Sequence, residues 1–402
     1  MRFPPNAVLL ILSGLVFAGL LLPAQALAGV KEDVAALAPS GLLLVLDEKG
    51  NELVAQNADD SFVPASVAKI VTVWLAMEVL GGDYRFKTPF YLDDDRVLYV
   101  RGGGDPFLIS EELAQLASEL VTAIGKAPLT GIVLDASYYP RDIRIPGIEN
   151  TNEAYDARNS ALAVNFNTVH AVRKGKTIRS AEAQTPITPL AIRQYRARGP
   201  KGRGRISLTH DPAVGLHYAG ELIAAFIKRA GGSVQGKIST GTVPDDLQPV
   251  YVHRQSRGLS QILAGLLVGS NNYIANQVFL EIGGQRLGGP VSLEKSLRIT
   301  KELLGKHGLA QSIHLEEGSG ISRGNRFTAR GLAQLLLLFE PHATLLRRGE
   351  GTLFKTGTFS GVRTLAGYAD TSQHGRVRFV IALKSDDNAL RFRLLKAIQS
   401  AL

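Results

Sequence analysis

The 402-residue chain contains no cysteine. Disulfides are therefore impossible, thiol chemistry is excluded, and no lipid-modified cysteine can anchor the N-terminus. Metal ligands are scarce too. The eight histidines show no spacing such as His-Glu-x-x-His, and no cysteine can assist them, so no metal centre is expected. Acidic residues are in deficit: 36 Asp and Glu face 45 Lys and Arg, a formal charge of +9. Internal repeats and low-complexity segments are missing. Beyond the N-terminus no apolar run is long enough to span a bilayer.

The N-terminus itself is distinctive. Arg2 is the only charge before Lys31, and Val8 to Leu22 is apolar. Ala24-Gln25-Ala26-Leu27-Ala28 follows. A charged start, an apolar middle and an Ala-x-Ala end make residues 1–28 a secretory signal peptide, with cleavage expected after Ala28 or alternatively Ala26. The competing reading is an uncleaved anchor, for which the run is marginal. Export places the protein in a periplasm or outside the cell. A basic exported chain suits anionic wall polymer or membrane surface, and nucleic acid least of all. The densest basic stretch, Arg193 to Arg205, is broken by Gly and Pro and reads as an exposed loop.

Leu42–Asp47 and Glu52–Gln56 flank a turn signal and read as a hairpin. Val67 to Leu80 is long, apolar and rich in helix formers, so a buried helix is expected to start near Ser66. From about Tyr84 short strand-like runs appear: Arg96–Arg101, Gly131–Asp135, Ala161–Val172 and Arg205–Leu208, with a helix over Leu108–Ile124. After Ser256 the pattern is helical again, over Leu259–Val268, Ile274–Ile282, Ser292–His307 and Thr328–Phe339. Two strands, Thr364–Ala369 and Val377–Leu383, and a helix over Asn388–Leu402 close the chain. The fold class is α+β. Residues 29–83 and 250–402 are expected to form one domain, and 84–249 an inserted α+β domain.

Acyl transfer by a serine needs a nucleophile, a base, a second proton carrier and an anion-stabilising pocket. Ser66-Val67-Ala68-Lys69 supplies the first two. Residues three apart share a helix face, so Lys69 reaches the Ser66 hydroxyl. Lys69 must be neutral to act as base, and burial beside a second cation would make it so. Ser-x-x-Lys is weak alone, since Ser292-Leu293-Glu294-Lys295 repeats it inside a charged, solvated pattern. Ser270-Asn271-Asn272 lies between two apolar helices. There Ser270 could pass a proton to the leaving nitrogen and Asn272 could bind Lys69 and a substrate carbonyl. Taken alone it would read as a helix cap. Lys355-Thr356-Gly357-Thr358 precedes the last strands. Lys355, Thr356 and Thr358 could hold a carboxylate, bare Gly357 could let substrate lie against the strand, and the Thr358 N–H could pair with that of Ser66 as an oxyanion hole.

The order Ser-x-x-Lys, Ser-x-Asn, Lys-Thr-Gly is the signature set of penicillin-binding proteins and serine β-lactamases. Further segments narrow it: Phe62 to Lys69, Gly102-Gly103-Gly104-Asp105-Pro106, Asn165-Phe166-Asn167, Gly318-Ser319-Gly320-Ile321-Ser322-Arg323 and Gly367-Tyr368. With the three motifs they resemble the D-alanyl-D-alanine carboxypeptidase/endopeptidase family of the penicillin-binding protein 4 type, peptidase family S13, from about residue 40 to 385. The resemblance implies a penicillin-binding-protein/β-lactamase-like transpeptidase domain with an insert between the first two motifs. It also implies cleavage of peptidoglycan stem peptides without metal or cofactor, and inhibition by β-lactam antibiotics. Two departures stand out. Glu317 replaces the family's usual Asp. Gly351-Thr352-Leu353 is followed almost at once by Lys355, where the family has a longer, Arg-containing segment.

Three other readings compete. Gly102 to Asp105 lacks the Gly-Lys-Ser/Thr of a phosphate loop and reads as a turn. A serine β-lactamase would need a carboxylate to activate a deacylating water, and none stands out. A catalytically silent wall-binding protein could share the fold.

Overall fold

The computed structural model describes Ala36 and residues 38–402. The expected signal segment, 1–28, lies outside the described residues. No helix among the described residues is long and apolar enough to cross a membrane.

The chain begins with the expected hairpin, β1 (Leu42–Leu46) and β2 (Glu52–Gln56), and a short β3 (Ser61–Phe62). The helix carrying Lys69 starts differently from its sequence expectation. Ala65–Ala68 is a 3-10 turn, and the α-helix proper, α1, runs Lys69–Val79. Its residues from Lys69 to Ala76 are all buried. That all-round apolar character is why the segment becomes the central helix rather than a surface one.

The middle of the chain forms two sheets. β4 (Lys87–Leu92), β5 (Val97–Arg101) and β6 (Gly131–Asp135) belong to one, and α2 (Ser110–Ile124) lies between β5 and β6 in sequence. β7 (Thr168–Lys174) and β8 (Thr177–Ser180) begin the other. The strand expected over Ala161–Val172 thus starts only at Thr168. Asn165, Phe166 and Asn167 before it all adopt left-handed φ, which a strand excludes. The basic stretch from Arg193 is not simply a loop. It contributes to α3 (Pro189–Arg198), capped by Thr188 with Pro189 in the first turn, and to β9 (Arg203–Ser207). α4 (Pro212–Arg229), β10 (Ile238–Thr240) and β11 (Pro249–Arg254) complete this region. The sheet orders are β10-β6-β5-β4-β11 and β8-β7-β9. β11 pairs antiparallel with β4, so this sheet takes its last strand from Pro249–Arg254. One core joins α2 and α4 to both sheets, with Leu120, Leu134, Val169, Leu222 and Phe226 buried in it.

The helices α5 (Leu259–Gly269), α6 (Asn272–Leu287), α7 (Leu293–Lys306) and α8 (Ala329–Phe339) follow. β12 (Ile313–His314) and β13 (Arg326–Thr328) pair with β3 in a small sheet. Then come β14 (Arg347–Gly349), β15 (Thr352–Phe359), β16 (Val362–Thr371), β17 (Gly375–Leu383) and α9 (Leu390–Ala401). The main sheet has the order β14-β15-β16-β17-β1-β2, so the first and last strands of the described residues meet as β17 pairs with β1. Strands β16 and β17 are buried over most of their length because both sheet faces are covered. One face packs on the helices around Trp74, Leu263, Phe279 and Leu336. The other packs on α9 through Leu394, Leu395 and Ile398.

Candidate active site

The three motifs, up to 292 positions apart in sequence (66 to 358), converge at the head of α1. The 3-10 turn places Ser66 there and the first turn of α1 carries Lys69. Lys69 Nζ lies 2.9 Å from Ser66 Oγ, 2.8 Å from Asn272 Oδ1 and 2.6 Å from the carbonyl oxygen of Ser319. The side chain is fully buried. Burial, helped by the Lys355 ammonium and opposed by Glu317, holds the Lys69 amine well below its ordinary lysine value.

Ser270 ends α5 in the left-handed conformation, and Asn271 starts α6 by accepting from the Ile274 N–H. The cap reading of this motif and the functional one therefore hold together: Asn271 caps, while its neighbours face the site. Asn272 Oδ1 takes a bond from Lys69 as expected. Its amide nitrogen donates to the carbonyl of Tyr155 in the inserted region, at 3.3 Å. Ser270 differs from its expected placement. Its Oγ accepts from Lys355 at 2.9 Å rather than bonding Lys69. The two lysines are thus each tied to a different serine.

Lys355 projects from β15 and also donates to the Thr356 carbonyl at 2.8 Å. Burial, with Arg391 and Arg347 adding, pushes it down to about 7. β14 pairs only with Thr352–Phe354, so Lys355–Phe359 keeps one strand edge free of strand pairing among the described residues. Gly357 is needed for a reason other than the one its sequence suggests. A Cβ there would stand 2.6 Å from the Pro64 carbonyl and 2.2 Å from Thr364 Oγ1. The missing side chain lets β15 approach the turn that presents Ser66. Thr364 Oγ1 donates to that same Pro64 carbonyl at 2.7 Å, which fixes the approach.

Glu317, placed in sequence only as a family departure, turns out to organise the floor of the site. The carboxylate is fully buried. One oxygen accepts from Asn276 Nδ2, from the Ser319 N–H and from Ser319 Oγ at 3.1, 2.7 and 2.7 Å. The other accepts from Asn325 Nδ2 and the Ser322 N–H at 2.9 and 3.3 Å. This holds the loop that aims the Ser319 carbonyl at Lys69. Gly320 in the same loop has φ +81°, and a Cβ on it would lie 1.9 Å from the Ala65 carbonyl. Only glycine fits there. Arg391, at the start of α9, was not singled out in sequence. It donates to the Gly357 carbonyl at 2.6 Å and to Thr358 Oγ1 at 3.1 Å. No local pattern marks it, because its meaning depends on how α9 packs beneath β15.

The competing motifs separate cleanly. Ser292 caps α7 by accepting from the Lys295 N–H, and Lys295 Nζ reaches the carbonyls of Gly288 and Pro290 instead of the serine. Asp105, after the triple glycine, is buried and accepts from Gln255 and the Phe107 N–H.

A buried lysine of depressed pKa on a serine hydroxyl, a second serine bonded to a second lysine, and a free strand edge together are equipment for acyl transfer. Comparison with known proteins agrees. The family model of the D-Ala-D-Ala carboxypeptidase 3 (S13) family matches residues 24–198 and 200–347. A D-alanyl-D-alanine carboxypeptidase of Actinomadura sp. (strain R39) is 29% identical over 405 aligned positions, covering 82% of this chain and 75% of that protein. The crystal structure of penicillin binding protein 4 from Haemophilus influenzae superposes with a TM-score of 0.75 at 20% identity, covering 92% of this chain and 98% of that one. A penicillin G-acylated predatory endopeptidase from Bdellovibrio bacteriovorus superposes at 0.51 and 17% identity, over 89% and 90% of the two chains. The chain belongs to the D-Ala-D-Ala carboxypeptidase 3 (S13) family and is a serine peptidase.

Proposed function

We propose that this peptidase cleaves D-Ala-D-Ala termini or D-centred cross-links of peptidoglycan stem peptides through an acyl-enzyme at Ser66, and that β-lactams acylate the same serine. The observation that carries the reading is Lys69: buried, depressed in pKa and 2.9 Å from Ser66 Oγ.

Neutral Lys69 takes the Ser66 proton as Oγ attacks the substrate carbonyl carbon. The carbonyl oxygen becomes an oxyanion held by the N–H groups of Ser66 and Thr358. A proton then passes from Lys69 to the leaving nitrogen by way of Ser270, whose hydroxyl must first turn from Lys355, its partner in the free enzyme, toward Lys69; the C–N bond breaks, and the amine departs. Lys355, Thr356 and Thr358 hold the substrate carboxylate, and Asn272 orients its amide. Water attacks the ester in the reverse sense and restores Ser66. In this reading residues 29–83 and 250–402 carry the chemistry. The inserted 84–249 borders the approach, as the Tyr155–Asn272 contact suggests. Export by the N-terminal segment places the enzyme at the wall, in a periplasm or outside the cell.

The β-lactamase alternative finds no support at Glu317. This carboxylate acts on Lys69, but both its oxygens are occupied and it is sealed from water. The silent-module alternative does not account for a depressed lysine on a serine. Mass spectrometry of muropeptides after incubation tests the proposal: loss of terminal D-Ala or opening of cross-links supports it, and binding without either product counts against it.

A further inference from the structure

Arg391 is a costly residue in an unexpected place. It sits in the first turn of α9, on the sheet face opposite the nucleophile, and is only 6% exposed. Among the described residues no carboxylate pairs with it. Burial, with the nearby cation Arg363 adding, weakens its hold on its own proton. Arg391 Nε has no hydrogen-bond partner. A buried, unpaired guanidinium destabilises a fold unless it serves something else.

Its contacts say what it serves. Nη1 donates to the Gly357 carbonyl at 2.6 Å, to Thr358 Oγ1 at 3.1 Å and to the Thr364 carbonyl at 3.2 Å. The Gly357 carbonyl and the Thr358 N–H are two ends of one amide. A charge-assisted bond to the oxygen draws electron density toward it and makes the N–H a stronger donor. We propose that Arg391 is a positioning residue that strengthens the Thr358 N–H as an oxyanion donor, acting through the Gly357–Thr358 peptide from the far face of the sheet. This rests on the reading that Thr358 N–H and Ser66 N–H receive the oxyanion. The second bond, to Thr358 Oγ1, occupies an acceptor pair of that hydroxyl and leaves its proton free to turn toward a substrate carboxylate.

The test compares wild type with Arg391→Met and Arg391→Lys, using a penicillin as probe. Stopped-flow kinetics separates the initial dissociation constant from the acylation rate, and infrared spectroscopy reads the carbonyl stretch of the acyl ester. Loss of the polarised donor is a fraction of losing an oxyanion donor outright, so Arg391→Met should slow acylation about tenfold. Its dissociation constant should stay within about twofold, because the donor counts most once charge develops on the oxygen in the transition state. Its ester carbonyl should absorb at higher frequency, since a weaker hole polarises it less. Arg391→Lys should fall between the two proteins. If Arg391→Met fails to fold, Arg391→Lys carries the same readouts, since it keeps the charge but not the planar fork. An unshifted carbonyl band in a folded variant overturns the inference, whether affinity is retained or lost; lost affinity alone would mean simple carboxylate recognition. Wild type that forms no acyl ester would instead overturn the acyl-enzyme reading itself.

Discussion

Lys355 donates to Ser270 Oγ across 2.9 Å, while Lys69 donates to Ser66 Oγ across the same distance. Each lysine therefore has its own serine, and the two pairs differ in what their loss should cost. Ser270→Ala leaves all the contacts of Lys69 intact and removes the proton path to the leaving group together with the side-chain acceptor of Lys355. It should slow acylation by about 10²–10⁴-fold, the usual range for one general acid–base group. Lys69→Met should be worse, because it removes the base and the Asn272 contact together. Stopped-flow rates of penicillin adduct formation would compare the two, and an equal loss in both would contradict this division.

The pH profile follows from the same lysines. Lys69 must be neutral, and its value lies well below the ordinary one, so acylation should rise with pH to a plateau reached earlier than an ordinary lysine allows. Lys355 should be charged to hold a carboxylate, and it is pushed down to about 7. Acylation per unit free substrate should therefore decline above neutral pH. Lys355→Arg, which stays charged, should abolish that decline. A profile in which wild type and Lys355→Arg fall together would place the falling limb elsewhere.

Stability should carry a related signature. The unfolded chain holds the Lys355 proton up to the ordinary 10.5, the folded one only to about 7. Between those values the unfolded state binds more protons, so stability rises with pH across that window and is lowest below it. Lys355→Met should remove Lys355's share of the rise and gain on the order of a few kcal/mol at pH 6 relative to pH 10. Urea unfolding at the two pH values measures it.

Glu317 should behave as a positioning residue. Glutamine keeps its length but cannot accept from every donor the carboxylate now serves. Glu317→Gln should lose on the order of 3 kcal/mol, as expected when a buried acceptor network is left partly unpaired. Because Glu317 supports the charged form of Lys69, its loss should also move the rising limb of acylation to lower pH. A destabilised protein with an unmoved limb would limit Glu317 to loop packing.

Much of this was legible in the sequence for a physical reason. Ser66 and Lys69 stand one turn apart on an apolar segment, and local periodicity reports such pairs directly. The hairpin, the last two strands and the closing helix likewise announce themselves by alternation and turn residues. Contacts that depend on distant packing were not legible. Ser270 meets Lys355 rather than Lys69 because the left-handed end of α5 turns its hydroxyl toward β15. Gly357 faces Pro64 because Thr364 ties β16 to the nucleophile turn. Glu317 and Arg391 take their roles from partners that no short motif contains. The basic run at Arg193 hid a helix start because like charges masked Thr188 and Pro189, which cap it.

Gly357→Ala follows from the packing of β15. Its new Cβ would sit within 2.6 Å of the Pro64 carbonyl, so the strand or the Ser66 turn must shift. A cost of about 1–3 kcal/mol is expected for such overpacking, with a larger proportional loss in acylation than in stability. Thermal melting beside acylation rate checks the ratio; a variant that melts early yet acylates normally would remove Gly357 from the site geometry.

The identity of the nucleophile is the point on which everything else depends. Peptide mass spectrometry after incubation with a penicillin should find one covalent adduct, on the peptide containing Ser66, and none in Ser66→Ala. An adduct on any other serine, or one that persists in Ser66→Ala, would contradict the assignment.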